Sequence, residues 1–290
     1  MATFRAPAAQ AAYIMKALQG HHLRSVGTVR NYEQGLTRVA EWTQRERLPG
    51  GLRAMTPELA IRYLEQRGQE VGQKALDMER QAMQAMMQHV TGQLAHGARI
   101  PVIKSEQAQV LTARAYTAPQ VALIAAAQTP RHGLATELAY AAGLRAHELL
   151  TLRRGEERAA DPRPALASKW QGRNGVIYTV HGKGGLVREV LLPHALAERL
   201  EAVRLDAPLA ITDRGIHYQS HYDIGGGQRW SNSVSAASER ALGWSTGAHG
   251  LRHSYAQERM AELQASLSRD AALTTVSQEM GHFRPEITET

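Results

Sequence analysis

The 290-residue chain is 43% hydrophobic, enough for one large or two medium domains with a sizeable core, and this excludes global disorder. It has no cysteine, which excludes disulfides and cysteine-ligated metal sites, and no apolar run approaches the roughly 20 residues of a membrane-spanning helix. The 34 Lys and Arg residues against 27 Asp and Glu residues give a net charge of +7, which suits a polyanionic partner.

The first part of the chain is expected to be helical. Tyr32, Leu36 and Val39 recur at helical spacing, and Thr56-Pro57 supplies a capping residue and a proline where a new helix can begin. These patterns predict a compact four-helix unit. The N-terminus has no apolar block of the kind found in signal peptides, so we expect a cytoplasmic protein.

The positive charge is concentrated in this helical part. Residues 1–115 hold 15 basic and 9 acidic residues, whereas residues 116–290 hold 19 basic and 18 acidic ones. Arg24, Arg30 and Arg38, near or on the first long helix, are therefore candidate contacts to the phosphates of a polyanion. The alternative, a solvated helix face, fits the pattern equally well.

A domain boundary is expected where the helical pattern fades. Residues 99–114 contain a proline, a serine and two glutamines, which indicates an extended linker. Thr117-Ala-Pro-Gln120 then matches a capping box that opens a new helix. We therefore predict a helical domain with its linker over residues 1–114 and a second domain over residues 115–290.

A short motif around Arg145 opens the functional part of the second domain. Gly143 follows an apolar helical stretch and predicts its end. If the next helix begins at once, Arg145 lies at a tight turn near a helix N-terminus, which favours anion binding. Glu148, one turn further on, can hold a neighbouring basic group in place. The alternative role for Arg145 is a surface salt bridge with Glu148.

Residues 176–180 and 186–192 alternate as β-strands. The glycines around Lys183 predict a mobile hairpin tip that can carry its ammonium group into a substrate groove. The alternative is an ordinary hairpin whose lysine keeps the tip soluble. Further helices are predicted at 194–204, 229–242, 248–263 and 271–280, with a flexible loop at Gly225–Gly227.

His249 and Arg252 are spaced to share one face of a helix, where they can converge on a small anion. The guanidinium group matches phosphate oxygens two at a time, and the imidazole can move a proton near neutral pH. Alone, this pair is more typical of an ordinary surface helix with two basic residues. His282 is a further candidate, with a structural histidine as its alternative. No spacing predicts a metal site or a nucleotide cofactor, so we expect neither.

Taken together, four blocks of the sequence resemble those of the tyrosine recombinase (phage integrase) family. The family's G-L-R-x-x-E-L is similar to Gly143–Leu149, and its G-K-G-x-K-x-R-x-V-P-L to Gly182–Val190 with Leu192-Pro193 after it. Its H-x-L-R-H is similar to His249–His253, and its L-G-H to Met280–His282. The resemblance implies a mainly α fold with a small antiparallel β-sheet (α+β): a helical core-binding domain and a catalytic domain.

The resemblance also implies a reaction, which is site-specific strand cleavage and exchange of double-stranded DNA. It proceeds through a 3′-phosphotyrosyl intermediate without metal or cofactor. Arg145 and Arg252 would clamp the non-bridging oxygens of the scissile phosphate, and Lys183 would protonate the leaving 5′-oxygen. His249 would assist proton transfer at the nucleophile, and His282 would donate a hydrogen bond to the phosphate.

Glu148 would position these basic groups. The family's nucleophilic tyrosine usually lies nine residues after the histidine of the fourth block, which from His282 is position 291, one beyond Thr290. We therefore expect the chain as given to bind DNA and assemble the pocket without cleaving. Three tyrosines within the chain could substitute for that nucleophile, but all are poorly suited: Tyr218, Tyr222 and Tyr255.

Family members act as homotetramers on two DNA duplexes, so the resemblance implies a tetramer for the full-length protein and a monomer for a chain that lacks its tail. It implies no membrane partner, and integration of a mobile genetic element is the favoured role. Two alternatives stay open. One is a type IB topoisomerase-like enzyme, which shares the chemistry, and the other is a DNA-binding regulator of the same fold that has lost catalysis.

Overall fold

The computed structural model describes residues 5–23, 26–109 and 112–282. The chain forms two compact units, residues 1–112 and 113–290, and each has its own hydrophobic core. Among the described helices, none combines the length and the apolar character needed to cross a bilayer.

The described part of the first unit contains four α-helices, as the sequence predicts. They are α1 (Pro7–Leu18), α2 (Val26–Arg45), α3 (Pro57–Gly68) and α4 (Gln73–Met86), and one π-helical turn (Met87–Thr91) follows α4. Thr56 caps α3, because its hydroxyl accepts the N–H of Leu59 at 3.3 Å. Leu36, Leu64 and Met83 are fully buried between the helices, so the methionines of α4 serve as core filling.

Residues 99–107 differ from the extended linker that their composition predicts. Ile100 is buried in the core of the first unit, and its N–H donates to the side chain of Gln84 at 3.2 Å. Ser105 donates its hydroxyl to the Val71 carbonyl at 2.6 Å, and Gln73 binds Ser105 and Ile103 through its amide group. This segment therefore packs on its own unit, because its few apolar and polar side chains find partners there.

The second unit contains six α-helices in its described part: α5 (Ala118–Ala126), α6 (Pro130–Ala142), α7 (His194–Glu201), α8 (Gly227–Leu242), α9 (His249–Gln264) and α10 (Arg269–Glu279). The predicted capping box opens α5, since the N–H of Thr117 donates to the Gln120 side chain at 2.9 Å. Apolar faces of these helices enclose the side chains of Leu138, Trp230 and Leu251, which are inaccessible to solvent.

Two small antiparallel sheets accompany these helices, so the predicted mainly α fold with antiparallel β-structure is confirmed. One sheet consists of β1 (Arg153–Arg154), β2 (Val176–His181) and β3 (Val187–Leu192). Its β2–β3 hairpin is the one that the sequence predicts. The other sheet, β4 (Arg204–Asp213) with β5 (Ile216–Tyr222), was not predicted.

Candidate active site

The first candidate residues lie on a turn that we call the Gly143 turn, residues 143–148. Gly143 ends α6 in the left-handed region, with φ 57°. A Cβ added there would lie 2.8 Å from Cδ1 of the buried Tyr255 ring, so the turn requires glycine for both its conformation and its close packing. The helix predicted to follow is only a four-residue 3-10 turn, Glu148–Thr151, so Arg145 does not sit at a helix N-terminus.

Glu148 is completely buried, and three arginines surround its carboxylate. Nη1 of Arg145 donates to Oε1 at 2.7 Å, Nη2 of Arg188 donates to Oε2 at 2.7 Å, and Nη1 of Arg252 lies 3.9 Å from Oε2. The backbone N–H of Arg145 also donates to Oε2 at 2.8 Å. The salt bridge between Arg145 and Glu148 that the sequence analysis weighed is therefore present, but it is part of a buried cluster.

The electrostatics of this cluster favour an anion. Burial alone would raise the pKa of Glu148, but the guanidinium groups of Arg188, Arg252 and Arg145 hold that pKa well below its usual range. The carboxylate is therefore charged at neutral pH. Because three guanidinium groups face one carboxylate, two positive charges of the cluster remain uncompensated by the residues that the structure describes. A bound phosphate would neutralise them.

Arg252 joins this cluster to two other segments of the unit. It lies in the first turn of α9 and is only 2% exposed. Its Nη1 donates to the carbonyl of Gly143, and its Nη2 donates to the carbonyl of Met280 at 3.1 Å. Nη2 also lies 3.0 Å from Nε2 of His282. The structure thus brings Arg145, Glu148, Arg252 and His282 together, although they come from three separate sequence motifs.

Two imidazoles border the arginine cluster. Partial burial, followed by the charges of Arg252 and other nearby cations, lowers the pKa of His249 to about 4. Partial burial and the charges of Arg252, Arg145 and Arg188 likewise lower the pKa of His282 to about 4. Both rings are therefore neutral at pH 7. An arriving phosphate brings negative charge that raises both pKa values, so each ring can take up a proton when the anion binds.

These depressed pKa values predict that the protein loses stability in mild acid. Between pH 6.5 and about 4, His249 and His282 are protonated in the unfolded chain but neutral in the folded one. Protons then bind preferentially to the unfolded state, so the free energy of unfolding falls as the pH falls through this window and is unaffected by these two groups above it. Thermal denaturation across the window should show a flatter Tm profile in the double variant His249→Gln, His282→Gln. An unchanged slope would contradict the prediction.

The structure does not place Lys183 in this cluster. It is exposed in the turn between β2 and β3, and it makes no hydrogen bond or ion pair with any described residue. The neighbouring Gly182 lies close to the cluster, since a Cβ added there would be 3.4 Å from Oε1 of Glu148. The base of the hairpin is thus fixed beside Glu148, and the lysine extends from it into solvent.

The arginines predicted to contact DNA in the first unit have different environments. Arg24 lies outside the described residues. Arg30 is exposed on α2, as a phosphate contact requires. Arg38 is half-exposed, but its Nη1 lies 3.4 Å from Oε1 of the buried Glu79, so it also serves the packing of α2 against α4.

Arg188 belongs to the cluster but was not among the predicted site residues. Besides Glu148, it binds the carbonyl of Glu279 through Nη1 at 2.7 Å, and it is 5% exposed. Its position in the quoted hairpin motif was a usable signal, because alternation along β3 turns Arg188 to the same face of the strand as the buried Val190 and Leu192.

The glycine run before α8 is also not the flexible loop that its composition predicts. A Cβ on Gly226 would collide with the side chain of Leu150, and one on Gly227 would lie 2.6 Å from Cγ of Asp213. The N–H of Gly227 donates to the carbonyl of Ala146, in the Gly143 turn, at 2.7 Å. The glycines therefore allow the start of α8 to pack closely against Leu150 and Asp213 while its backbone binds the Gly143 turn.

Comparison with known proteins identifies the fold. No protein-family model and no curated protein matches the chain. Several solved structures do match. One is the XerH site-specific recombinase in a post-cleavage complex with palindromic difH, with a TM-score of 0.58 and 16% sequence identity; the match covers 97% of this chain and 80% of that chain. A lambda integrase tetramer on a Holliday junction matches with a TM-score of 0.58 and 17% identity, over 97% of this chain and 75% of that chain. The Tn1549 transposon integrase with a circular intermediate DNA matches with a TM-score of 0.50 and 12% identity, over 98% of this chain and 94% of that chain. The chain therefore has the fold of these site-specific recombinases and integrases, which is the fold that the resemblance to tyrosine recombinases implies.

Proposed function

We propose that this chain is a site-specific DNA recombinase of the integrase type, a tyrosine recombinase, which binds DNA and activates its scissile phosphate. The observation that carries the proposal is the buried Glu148 with its three arginines, which keeps two uncompensated positive charges beside two neutral imidazoles. Such a site suits a phosphodiester that gains negative charge in its transition state. The likeness to recombinases solved with DNA supports the same assignment.

The proposed roles follow from the environment of each group. Arg145, whose side chain is 18% exposed, and Arg252, whose side chain is 2% exposed, bind the non-bridging oxygens of the scissile phosphate. His249, whose ring is only partly shielded from solvent, accepts a proton at the mouth of the cluster, and His282 donates a hydrogen bond to the phosphate. Lys183 reaches the leaving 5′-oxygen as the general acid when the hairpin contacts DNA.

The tyrosines of the second unit considered as substitute nucleophiles are poorly suited to attack. Burial and the adjacent Glu279 carboxylate raise the pKa of Tyr255, whose hydroxyl donates to Oε2 of Glu279 at 2.9 Å. Burial and a hydrogen bond to Glu201 raise the pKa of Tyr222 in the same way. Burial and Asp213 raise the pKa of Tyr218. A nucleophilic tyrosine needs the opposite shift.

We expect the 290-residue chain to bind duplex DNA with strong salt dependence and to form no covalent DNA adduct. Fluorescence anisotropy measures the binding, and denaturing electrophoresis after incubation with nicked duplexes from a random-sequence pool detects an adduct. Arg145→Gln should lower the affinity about 10-fold, because it removes a charge-assisted phosphate contact.

Arg199→Gln is the matched control for this experiment. Arg199 is already neutralised by Glu137, whose Oε1 accepts from its Nη2 at 2.9 Å, so its loss should leave DNA affinity unchanged. The proposal fails if the wild-type chain does not bind duplex DNA, or if Arg145→Gln binds as tightly as the wild type. A covalent adduct that maps to any tyrosine of the chain would refute the assignment of the tyrosines.

For assembly, we propose that the 290-residue chain is monomeric without DNA and that the protein acts as a homotetramer on two duplexes. The lambda integrase tetramer on a Holliday junction supports this arrangement for a chain of the same fold. Sedimentation velocity of the free chain should show one species at monomer mass. A stable tetramer without DNA would contradict it.

A further inference from the structure

The β4–β5 hairpin ends in a turn of unusual composition. The turn is Asp213-Arg214-Gly215-Ile216, and its two central residues both have positive φ, 50° for Arg214 and 76° for Gly215. A two-residue turn of this type favours Asn, Asp or Gly at the first central position. A side chain with a Cβ is strained in the left-handed region, so arginine is a costly choice for making the turn.

Asp213 fixes this turn to the start of α8. The side chain of Asp213 is 10% exposed, and its Oδ1 accepts the N–H of Gln228 at 2.8 Å. Its Oδ2 accepts Nε of Arg214 at 3.1 Å. One carboxylate therefore anchors the hairpin tip to the first turn of α8 and orients the arginine beside it.

The anchored tip lies next to the candidate active site. The neighbour of Gln228, Gly227, donates its N–H to Ala146, the residue after Arg145. Burial lowers the pKa of His147 against the opposing effect of Glu148, and the charges of Arg145 and Arg214 lower it further, so both guanidinium groups act on the same imidazole. A short chain of contacts thus leads from Arg214 through Asp213 and α8 to the Gly143 turn.

The guanidinium group of Arg214 has donors to spare. Its side chain is 49% exposed, and Asp213 is its only hydrogen-bond partner within the described part of the chain. Since that bond uses Nε, both Nη groups can bind two oxygens of one phosphate. Asparagine or glycine would make the same turn without the strain and without the charge. Strain that persists at an exposed cation beside an anion site indicates a function for the cation.

We propose that Arg214 is a DNA ligand that binds a backbone phosphate flanking the one held by Arg145 and Arg252. The β4–β5 hairpin presents it, and Asp213 holds it in position. The inference rests on the proposed function, since it assumes that the scissile phosphate occupies the arginine cluster. It adds a second phosphate contact on an element that none of the four sequence motifs includes.

The test is the variant Arg214→Asn in the 290-residue chain, because asparagine suits the left-handed turn but carries no charge. We expect its Tm to rise by about 1–3 °C, since strain is relieved. We expect its affinity for a labelled mixed-sequence duplex of about 30 base pairs to fall about 5–10-fold, and the slope of log K against log salt concentration to decrease by about one. A purely structural residue would not give higher stability together with weaker DNA binding.

Two controls accompany this variant. Arg199→Gln removes a charge that is already paired with Glu137, so its salt slope should equal that of the wild type. Arg214→Lys keeps the charge and the left-handed strain, so the salt slope and the Tm should equal those of the wild type. Its DNA affinity should fall in part, because lysine cannot make the bidentate phosphate contact.

The outcomes separate this inference from the proposed function. If Arg214→Asn binds with unchanged affinity and salt slope while Arg145→Gln binds more weakly, the inference is wrong and the proposed function stands. If the wild-type chain does not bind duplex DNA, the proposed function fails and takes the inference with it. A lower Tm for Arg214→Asn would overturn the argument from strain.

Discussion

Replacing Glu148 by glutamine should destabilise the protein by about 3 kcal/mol, because among the described residues it removes the one carboxylate of a buried cluster that keeps its three cations. Arg188 and Arg252 are 5% and 2% exposed, so water cannot replace the lost carboxylate. At the size of the second unit this corresponds to a fall in Tm of about 6–12 °C. Thermal and urea denaturation of the wild type and of Glu148→Gln measure it.

Glu156→Gln is the matched control. Glu156 also pairs with an arginine, Arg154 at 3.6 Å, but its side chain is 75% exposed, so the change should cost less than about 0.5 kcal/mol. Below its Tm, Glu148→Gln should still bind duplex DNA, since the cluster then has three uncompensated positive charges where the wild type has two. Wild-type stability in Glu148→Gln would show that the carboxylate does not neutralise the arginines.

Gly143→Ala should also have a large effect, about 2–4 kcal/mol on the free energy of unfolding. The backbone there has φ 57°, which costs about 1 kcal/mol for alanine, and the new Cβ would lie 2.8 Å from the ring of Tyr255. Because the Gly143 carbonyl accepts a hydrogen bond from Arg252, relaxation of the clash displaces the arginine cluster. DNA affinity should therefore fall together with stability.

Gly243→Ala separates the two causes. Gly243 ends α8 as Gly143 ends α6, with φ 77°, but an added Cβ meets nothing within 4 Å. We expect a loss of only about 1 kcal/mol and no change in DNA affinity. Equal losses for the two variants in urea denaturation would show that the packing of Tyr255 against the Gly143 turn contributes nothing.

The sequence predicts well where local signals are strong. The capping box at Thr117, the end of α6 at Gly143 and the β2–β3 hairpin each depend on a few neighbouring residues, and the structure contains all three. The convergence of Arg145, Arg252 and His282 depends on tertiary packing, so spacing alone does not predict it. The order of the four motifs in the sequence indicated which groups belong to the site, but it did not show how their side chains are arranged.

The misses have physical reasons as well. The β4–β5 hairpin is mostly exposed along β4, so its sequence lacks the apolar alternation by which half-buried strands are recognised. The turn has arginine at a position of positive φ, where sequence rules expect asparagine, aspartate or glycine, so those rules do not detect it. The flanking Asp213 and Gly215 were nevertheless a usable turn signal. A run of three glycines predicts a flexible loop at Gly225–Gly227. Composition does not reveal that Leu150 and Asp213 pack closely against two of these glycines.

The carbonyl contacts of Arg252 constrain the order in which the protein can mature. They join Gly143 and Met280, which lie 109 and 28 positions away along the chain. A nascent polypeptide emerging from the ribosome therefore cannot close the arginine cluster until α10 has been synthesised, however early α5 and α6 fold. Until then the second unit lacks both carbonyl contacts of Arg252, so the cluster of Arg145, Arg188, Arg252 and Glu148 can assemble only after its helical scaffold has begun to form.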